Sequence, residues 1–590
     1  MSDTGLFPND PSSPDNQPRW QSGPAQPQPE PDWITSLSDA TENWLSALCS
    51  SRLKAFLALM LFALVCFMPG FNTIPPVDRD EARFAQASKQ MMESGDYVDI
   101  RFQDGTRYKK PVGIYWLQVA GAKISGQGED AGIWAYRLPS MAGALLSVGF
   151  TFLIGMRMAS VRVGFLAGIA MSAAILLGVE ARLAKADAML LATILAVQWL
   201  LWELYENRAG LKRYQASILW VALSMGILIK GPIVLMVSGL TVLLLAAQER
   251  SFAWLKGTRW KLGIPLMLLI TLPWFIAIGL HTDWAFYVDS VGKDMLAKVA
   301  TGKESHGAPP GTYLAISNLT FWPVSIFLLL SLGWVWKQKK QHAVRFALSW
   351  ILPTWVIFEL VSTKLPHYVL PTFPALALLT ALALENRATS WNKLWAKIIA
   401  GFVPLIAAIL GIGAPIALFI IEGVINPAAL GLGLVAVGLG LLSFSVLVRG
   451  RVMAAFLLAA LVAPVLYLSI HGTIFPALNN VWLSNQMAAS VNRNKPCESI
   501  ELASVGYSEP SLVFLMGTDT QLIDPSQTKQ AADFLIEAGC RMTIIEQSRE
   551  PAFLEAIGNR ADLIEAVDHV KGFKLNGGKW QSFALYRMKM

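Results

Sequence analysis

DRDEARFAQASKQMMESGDYVDIRFQDGTRYKKPVGIYW, residues 78–116, is the stretch on which the reading of this chain turns. It is the first hydrophilic segment beyond a long apolar run at 54–72. It packs Asp78, Asp80, Glu81 and Arg83 close together, then ends in Lys109-Lys110-Pro111 ahead of the aromatic pair Tyr115-Trp116. Acids and bases held this near a bilayer are costly to desolvate, so they usually serve a task. The plainer alternative is a solvated loop with an amphipathic helix lying on the membrane. Later loops on the same side, equally sparse and polar, weigh against it.

Outward from this stretch the chain is dominated by apolar runs. Of its 590 residues 54% are hydrophobic and 15% charged, and the mean hydropathy is +0.46. Thirteen runs are long enough to cross about 30 Å of hydrocarbon as helices: 54–72, 137–156, 161–179, 186–204, 215–230, 232–248, 262–281, 314–336, 344–362, 368–385, 396–421, 428–447 and 452–472. A polytopic α-helical membrane protein with about thirteen spans is therefore expected. With a cytoplasmic N-terminus, every second short loop is basic: Arg157/Arg162, Arg208/Lys212/Arg213, Arg250/Lys256/Arg259/Lys261, Lys337/Lys339/Lys340/Arg345, Arg387/Lys393/Lys397 and Arg449/Arg451. That satisfies the positive-inside rule and places the C-terminus outside. These loops account for the net charge of +7, so no nucleic-acid partner is implied.

Residues 1–32, rich in Pro, Gln, Ser and Asp, read as a disordered cytoplasmic tail. Residues 33–50 carry Trp33, Ile34, Leu37, Trp44, Leu45 and Leu48 at a spacing that suits an interfacial helix, or an extension of the first span. That span is too long for a signal peptide and lacks a small-residue cleavage site. From 51 to 472 runs the membrane domain, with long outer loops at 73–136 and 281–313. Beyond 473, SIELASVG, TQLI and MTIIEQ alternate with helical patterns, which predicts a small outer α/β domain. Asn576-Gly577-Gly578 offers it a hairpin turn between two strand-like runs. It has no GxGxxG and no P-loop. Cys497 and Cys540 lie in a compartment that permits a disulfide, but the sequence leaves their pairing open.

The unusual polar residues fall on the outer side. Besides the first loop there are Glu180-Ala-Arg182-Leu-Ala-Lys185-Ala-Asp187, Lys230-Gly231-Pro232 and Lys364-Leu-Pro366-His367-Tyr368. The 281–313 loop adds several more, among them Lys298 and His306, and ends in a Gly-Pro-rich stretch at 307–311. A single lysine of this kind reads as a helix-end charge snorkelling to the interface. Together they read as an aqueous-side cavity. Converging Lys and Arg suit a phosphate carried on a lipid. A carboxylate beside them can take a proton from, or stabilise charge on, a sugar in transfer.

Asp80-Glu81-Ala-Arg83-Phe-Ala, Met92-Glu-Ser-Gly95-Asp96-Tyr, Tyr108-Lys-Lys110-Pro111 and Tyr115-Trp116 together resemble the first periplasmic loop of the bacterial aminoarabinose transferases and the related protein-mannosyltransferase-like enzymes. The likeness extends to Arg182…Asp187, Leu272-Pro273-Trp274 and Lys364…Pro371, and in coarse topology to residues 50–590. It implies the GT-C fold, a polyprenyl-phosphate sugar donor and inversion at the anomeric carbon. Carried over, Asp80 and Asp187 stand for the catalytic acids, and Arg83, Lys110 and Lys298 for donor-phosphate ligands. Glu81, Lys109, Arg182, Tyr115, His306, Lys364, His367 and Tyr368 stand as substrate contacts. One departure is Lys109, where aminoarabinose transferases commonly have an acid. It argues against a required metal, although a divalent ion stays open, and for an acidic sugar.

The expected function is transfer of a sugar from a polyprenyl-phosphate donor to lipid A or lipopolysaccharide core, at the periplasmic face of the bacterial inner membrane. No cofactor is expected. Transfer onto protein, as in the mannosyltransferase relatives, is an alternative within the class. A lipid or sugar transporter is an alternative outside it, disfavoured because the spans hold almost no ionisable groups and no internal repeat is found.

Overall fold

A computed structural model describes residues 32–208, 210–290, 292, 307–574 and 577–589. The expected tail, apart from Asp32, and both Lys298 and His306 lie outside them.

The chain begins with α1 (Trp33–Cys49), which meets α2 (Arg52–Phe67) at a bend of 113°. Ser51 makes the corner by capping α2, its hydroxyl accepting from the Lys54 N–H. Ile34 and Leu45 are buried while Trp33 and Trp44 face outward. The two tryptophans are three turns apart, so they share one face of the helix.

Each of the thirteen apolar runs forms helix, but not every helix is a span. Among the described residues eight helices are long and apolar enough to cross a membrane, or nine if the bent pair counts as one. The physical reasons for the lower count are local. The 161–179 run is interrupted where Ala174 turns extended, giving α6 (Val161–Ala173) and α7 (Ile175–Glu180). The 314–336 run divides around Pro323 into Thr312–Thr320 and Ser325–Lys337, because proline offers no N–H to continue a helix. In α9 (Arg213–Lys230) the polar start and terminal lysine dilute the apolar character. α10 (Ile233–Glu249) falls short in length.

The loop after α2 folds into α3 (Asp80–Ser94), a two-residue hairpin of β1 (Arg101–Phe102) and β2 (Gly105–Thr106), and α4 (Gly113–Ile124). Gly95 ends α3 at φ +72°, a conformation that glycine adopts without strain. α5 (Ile133–Met158) then packs on α8 (Asp187–Glu206). The approach depends on Gly143: a Cβ there would stand 2.5 Å from the Met189 backbone nitrogen. α8 is thereby drawn in at the end where Asp187 starts it. Deeper down, Gln198 donates to Thr241 across α8 and α10 (2.9 Å), pairing polar groups that lipid could not satisfy.

The C-terminal domain holds a five-stranded mixed sheet in the order β4-β3-β5-β7-β6. β3 (Glu501–Val505) runs parallel to β4 (Gln521–Ile523) and β5 (Arg541–Glu546). β7 (Lys579–Met588) runs antiparallel to β5 and to β6 (Ile564–Lys574), and Gly577-Gly578 lies in the turn joining β6 to β7. Alternate residues face opposite cores: Val505, Ile545 and Ala584 on one side, Leu502, Ile544 and Leu585 on the other. Cys497 and Cys540 are joined in a disulfide, with Cα atoms 6.4 Å apart. The expected architecture, a helical membrane domain with a small α/β domain, is the one observed.

Candidate active site

Asp80 and Glu81 are neighbours in sequence and opposites in space. Successive helical residues point about 100° apart, so at the start of α3 one acid turns out and the other in. Glu81 is buried and takes four hydrogen bonds: from Arg137 Nε and Nη2 (2.8 and 2.9 Å), the Val77 N–H (2.8 Å) and the Ala184 N–H (2.8 Å). Arg137 is itself fully buried and donates further to the carbonyls of Phe71, Ile74 and Pro75. Glu81, expected as a substrate contact, therefore has no acceptor left over. It is the bolt that joins α3 to α5 and to the segment leading into α8.

Asp80 is exposed and lies within electrostatic reach of Lys185 and Arg83. The residue before it, Arg79, sits at φ +67°, ψ −101°. A non-glycine residue held there costs about 1–3 kcal/mol and persists only where its surroundings impose it. Arg83 is half-buried, and burial together with Arg107 pulls its guanidinium below the ordinary value, against the pull of Asp80. Arg107 lies buried with its guanidinium 4.8 Å from the centre of the Phe84 ring.

A second cluster is built from three helix ends. Asp187 at the start of α8 is buried, forms an ion pair with Lys230 at the end of α9 and lies 3.9 Å from Lys185. Lys185 in turn reaches Glu180 at 3.1 Å. His367 bridges the two acids, 3.7 Å from Glu180 and 3.8 Å from Asp187. Lys230 also stands 5.9 Å from the Tyr368 ring centre. The ligand atoms of Glu180, Asp187 and His367 lie within 4.8 Å of one another, a geometry that could hold a metal ion. Both carboxylates, however, already carry a lysine ammonium, so an ion would have to displace one.

This cluster closes one end of a cavity of about 560 Å³. Lys109, Lys110, Asp187, Lys230, His367 and Tyr368 are among its lining residues, with apolar side chains such as Leu235, Met236, Phe275 and Phe286. Lys110 acts electrostatically on His367. Trp274 of α11 (Trp260–His281) ties this wall to the loop by donating to the Val98 carbonyl at 3.2 Å.

Three other expected contacts lie elsewhere. Arg182 is buried, with Nε on the Pro69 carbonyl (2.7 Å), its other nitrogens on the carbonyls of Gly178 and Cys66, and its face 5.0 Å from the Tyr467 ring. Every nitrogen is engaged within the fold, so it secures the α2 end rather than substrate. Tyr115 is fully buried against Phe84, ring centres 5.4 Å apart. Lys364 donates to the carbonyls of Glu359 (2.9 Å) and Val361 (2.7 Å). Residues 307–311 are held near the same helix end: Gly307 bridges to Thr363, and Glu359 accepts from the Gly311 N–H at 2.9 Å. Arg137 and Arg107 were not among the expected site residues, and Glu180, Lys185 and Lys230 had no assigned role. All of these last three stood out in the sequence as ionisable residues between apolar runs, Lys230 just before Gly-Pro.

Fold and site together define a polytopic membrane protein whose charged loops enclose a lysine-rich, otherwise apolar chamber at one end of its helices. Residues 109–276 match the family described as dolichyl-phosphate-mannose-protein mannosyltransferase. The chain is 27% identical to an undecaprenyl phosphate-α-4-amino-4-deoxy-L-arabinose arabinosyl transferase of Pseudomonas fluorescens, over 52% of this chain and 55% of the relative. It is also 27% identical to one of Pseudomonas aeruginosa, over 58% and 62%. The matched part thus spans less than two thirds of these curated relatives. In three dimensions the chain resembles ArnT from Cupriavidus metallidurans bound to undecaprenyl phosphate, with a TM-score of 0.70 and 20% identity over 90% of this chain and 97% of that one. The GT-C fold and the resemblance drawn from the loop motifs are borne out.

Proposed function

We propose that the protein is an inverting glycosyltransferase that moves a sugar from a polyprenyl-phosphate donor to lipid A or lipopolysaccharide core at the periplasmic face of the inner membrane. One observation carries this reading: a chamber lined mostly by apolar side chains but also by Lys109, Lys110 and Lys230, the last two both acting electrostatically on His367. A polyprenyl phosphate has the same division, and the named relatives use undecaprenyl phosphate.

As the glycosidic bond breaks, the lipid phosphate gains charge, and preorganised ammonium groups stabilise that charge without reorganising. Lys110 and Lys230 are placed for this, with Arg83 toward the loop. Asp187 holds Lys230 and His367 in position as a counter-ion. Asp80, exposed beside Arg83 and Lys185, serves the acceptor as base or electrostatic partner. Lys185 and Lys230 already neutralise the acids of the Glu180–Asp187–His367 group, so the proposed reaction needs no metal, and EDTA-treated membranes should retain full transfer. A loss restored by a divalent ion would refute that step.

The decisive test is mass spectrometry of lipid A, core and polyprenyl-phosphate sugars in a deletion strain complemented with the wild type or Asp80→Asn. The reading predicts a sugar missing from lipopolysaccharide, and its lipid-linked donor accumulating, with the empty vector and with the variant. The match of 109–276 to a protein-mannosyltransferase family favours protein as a second acceptor. Unchanged lipopolysaccharide with an altered glycoprotein profile would select it. Full complementation by Asp80→Asn would remove this loop from the chemistry.

A further inference from the structure

The helix Pro510–Met516 of the C-terminal domain is seated directly on α3. At one end Phe514 meets the Tyr136 ring edge-on, centres 5.4 Å apart, in a small core shared with Ala85 and Ala122. At the other, the Ser511 hydroxyl donates to Asp78. Ser511 cannot donate twice, so it accepts from Ser484 at 2.5 Å, and Ser484 then accepts from the Tyr507 hydroxyl at 2.8 Å. Three buried hydroxyls from this domain therefore form one chain of donors polarised toward Asp78. Between Asp78 and the exposed Asp80 lies only Arg79, whose positive-φ backbone needs something to impose it.

We propose that the C-terminal domain is a working part of the active site: through the Tyr507–Ser484–Ser511 chain it grips Asp78 and so fixes where Asp80 stands. Ser511 is a positioning residue, since it touches neither substrate nor donor. The proposal rests on the reading of Asp80 given above.

The test uses full-length protein, with two readouts. In complemented cells, mass spectrometry gives the ratio of transferred sugar to accumulated lipid-linked donor. In purified protein, binding of undecaprenyl phosphate reports the donor site. Ser511→Ala is expected to lower the transfer ratio about tenfold or more, the worth of one hydrogen bond to a charged group. Its binding of undecaprenyl phosphate should stay within about twofold of wild type. Ser511→Thr, which keeps the hydroxyl, should restore transfer. Thr518→Val removes contacts of the same interface toward the far end of α3, where Thr518 meets Gln86 and Glu93, and should leave transfer intact. Wild-type transfer by Ser511→Ala, or an equal loss in Thr518→Val, would overturn the proposal. If Asp80→Asn is inactive while Ser511→Ala is not, this inference alone fails. If Asp80→Asn is fully active, the reading beneath it fails as well.

Discussion

Arg137→Met isolates the interaction that holds the two halves of the site together. The substitution leaves Glu81 buried, with two of its four hydrogen bonds and no compensating charge. Removing one partner of a buried pair costs about 3–5 kcal/mol, roughly two to four orders of magnitude in the folding equilibrium. The expectation is a marked fall in the midpoint of thermal unfolding of the purified protein, with protease cutting appearing near 77–81. Replacing both partners by apolar residues of similar volume is often close to neutral, so Glu81→Leu/Arg137→Met should unfold above Arg137→Met alone. Transfer should nevertheless stay lost in the double variant. Without the Glu81 carboxylate nothing accepts from the Ala184 N–H, and α3 is no longer tied to the segment entering α8. Additive destabilisation within about 0.5 kcal/mol would show that the pair does not act as a pair. A stable double variant with full transfer would show that Glu81 does not set the site.

Burial, opposed by the Ser511 hydrogen bond, pushes the Asp78 carboxyl up to about 6 from its ordinary value near 3.8. The folded state then holds this proton more tightly than the unfolded chain, so the contribution is complete below about pH 4 and lost as pH rises through about 6. Thermal stability should fall across that window, and Asp78→Asn should flatten the slope; an unchanged slope would refute the assignment. Lys109 lines the chamber beside Lys110, and Lys109→Glu should lower use of an acidic sugar donor in favour of a neutral or cationic one, read by mass spectrometry of the product. An unchanged donor preference would end the charge argument. Because the leaving phosphate monoester carries more charge than the donor diester, the same lysines should retain product. Undecaprenyl phosphate should therefore inhibit competitively, and Lys110→Ala should relieve that inhibition.

The membrane architecture was legible because apolar runs of span length rarely form anything but membrane helices. The C-terminal strands were legible from their alternation with helical patterns. The number of spans was not, because nothing in an apolar run marks a break such as Ala174, and a proline such as Pro323 divides one helix while Pro273, Pro353 and Pro415 lie within others. In the site, the loop cations could be seen to matter, but not which of them face the chamber. Arg182 and Lys110 look alike in sequence, yet backbone carbonyls surround the first and the cavity is lined by the second. Arg137 was invisible for the opposite reason: at the edge of an apolar run it resembles any snorkelling helix-end charge.

The acids make the point most sharply. Besides Asp78, four of them gather at this end of the protein, and burial alone would rank Glu81, Glu180 and Asp187 above Asp80. Buried carboxylates survive only when paired, and here each of the three is: Glu81 to Arg137, Glu180 to Lys185, Asp187 to Lys230. Of the three, Glu81 alone has both oxygens taken up, by four donors, whereas Glu180 keeps one oxygen without a hydrogen-bond partner. Asp80 differs in being exposed, on a helix whose neighbouring turn is pinned by Glu81 on one side and Asp78 on the other. The paired acids thus hold cations and backbone in place, and the exposed Asp80 is the one that the proposed reading assigns to the acceptor.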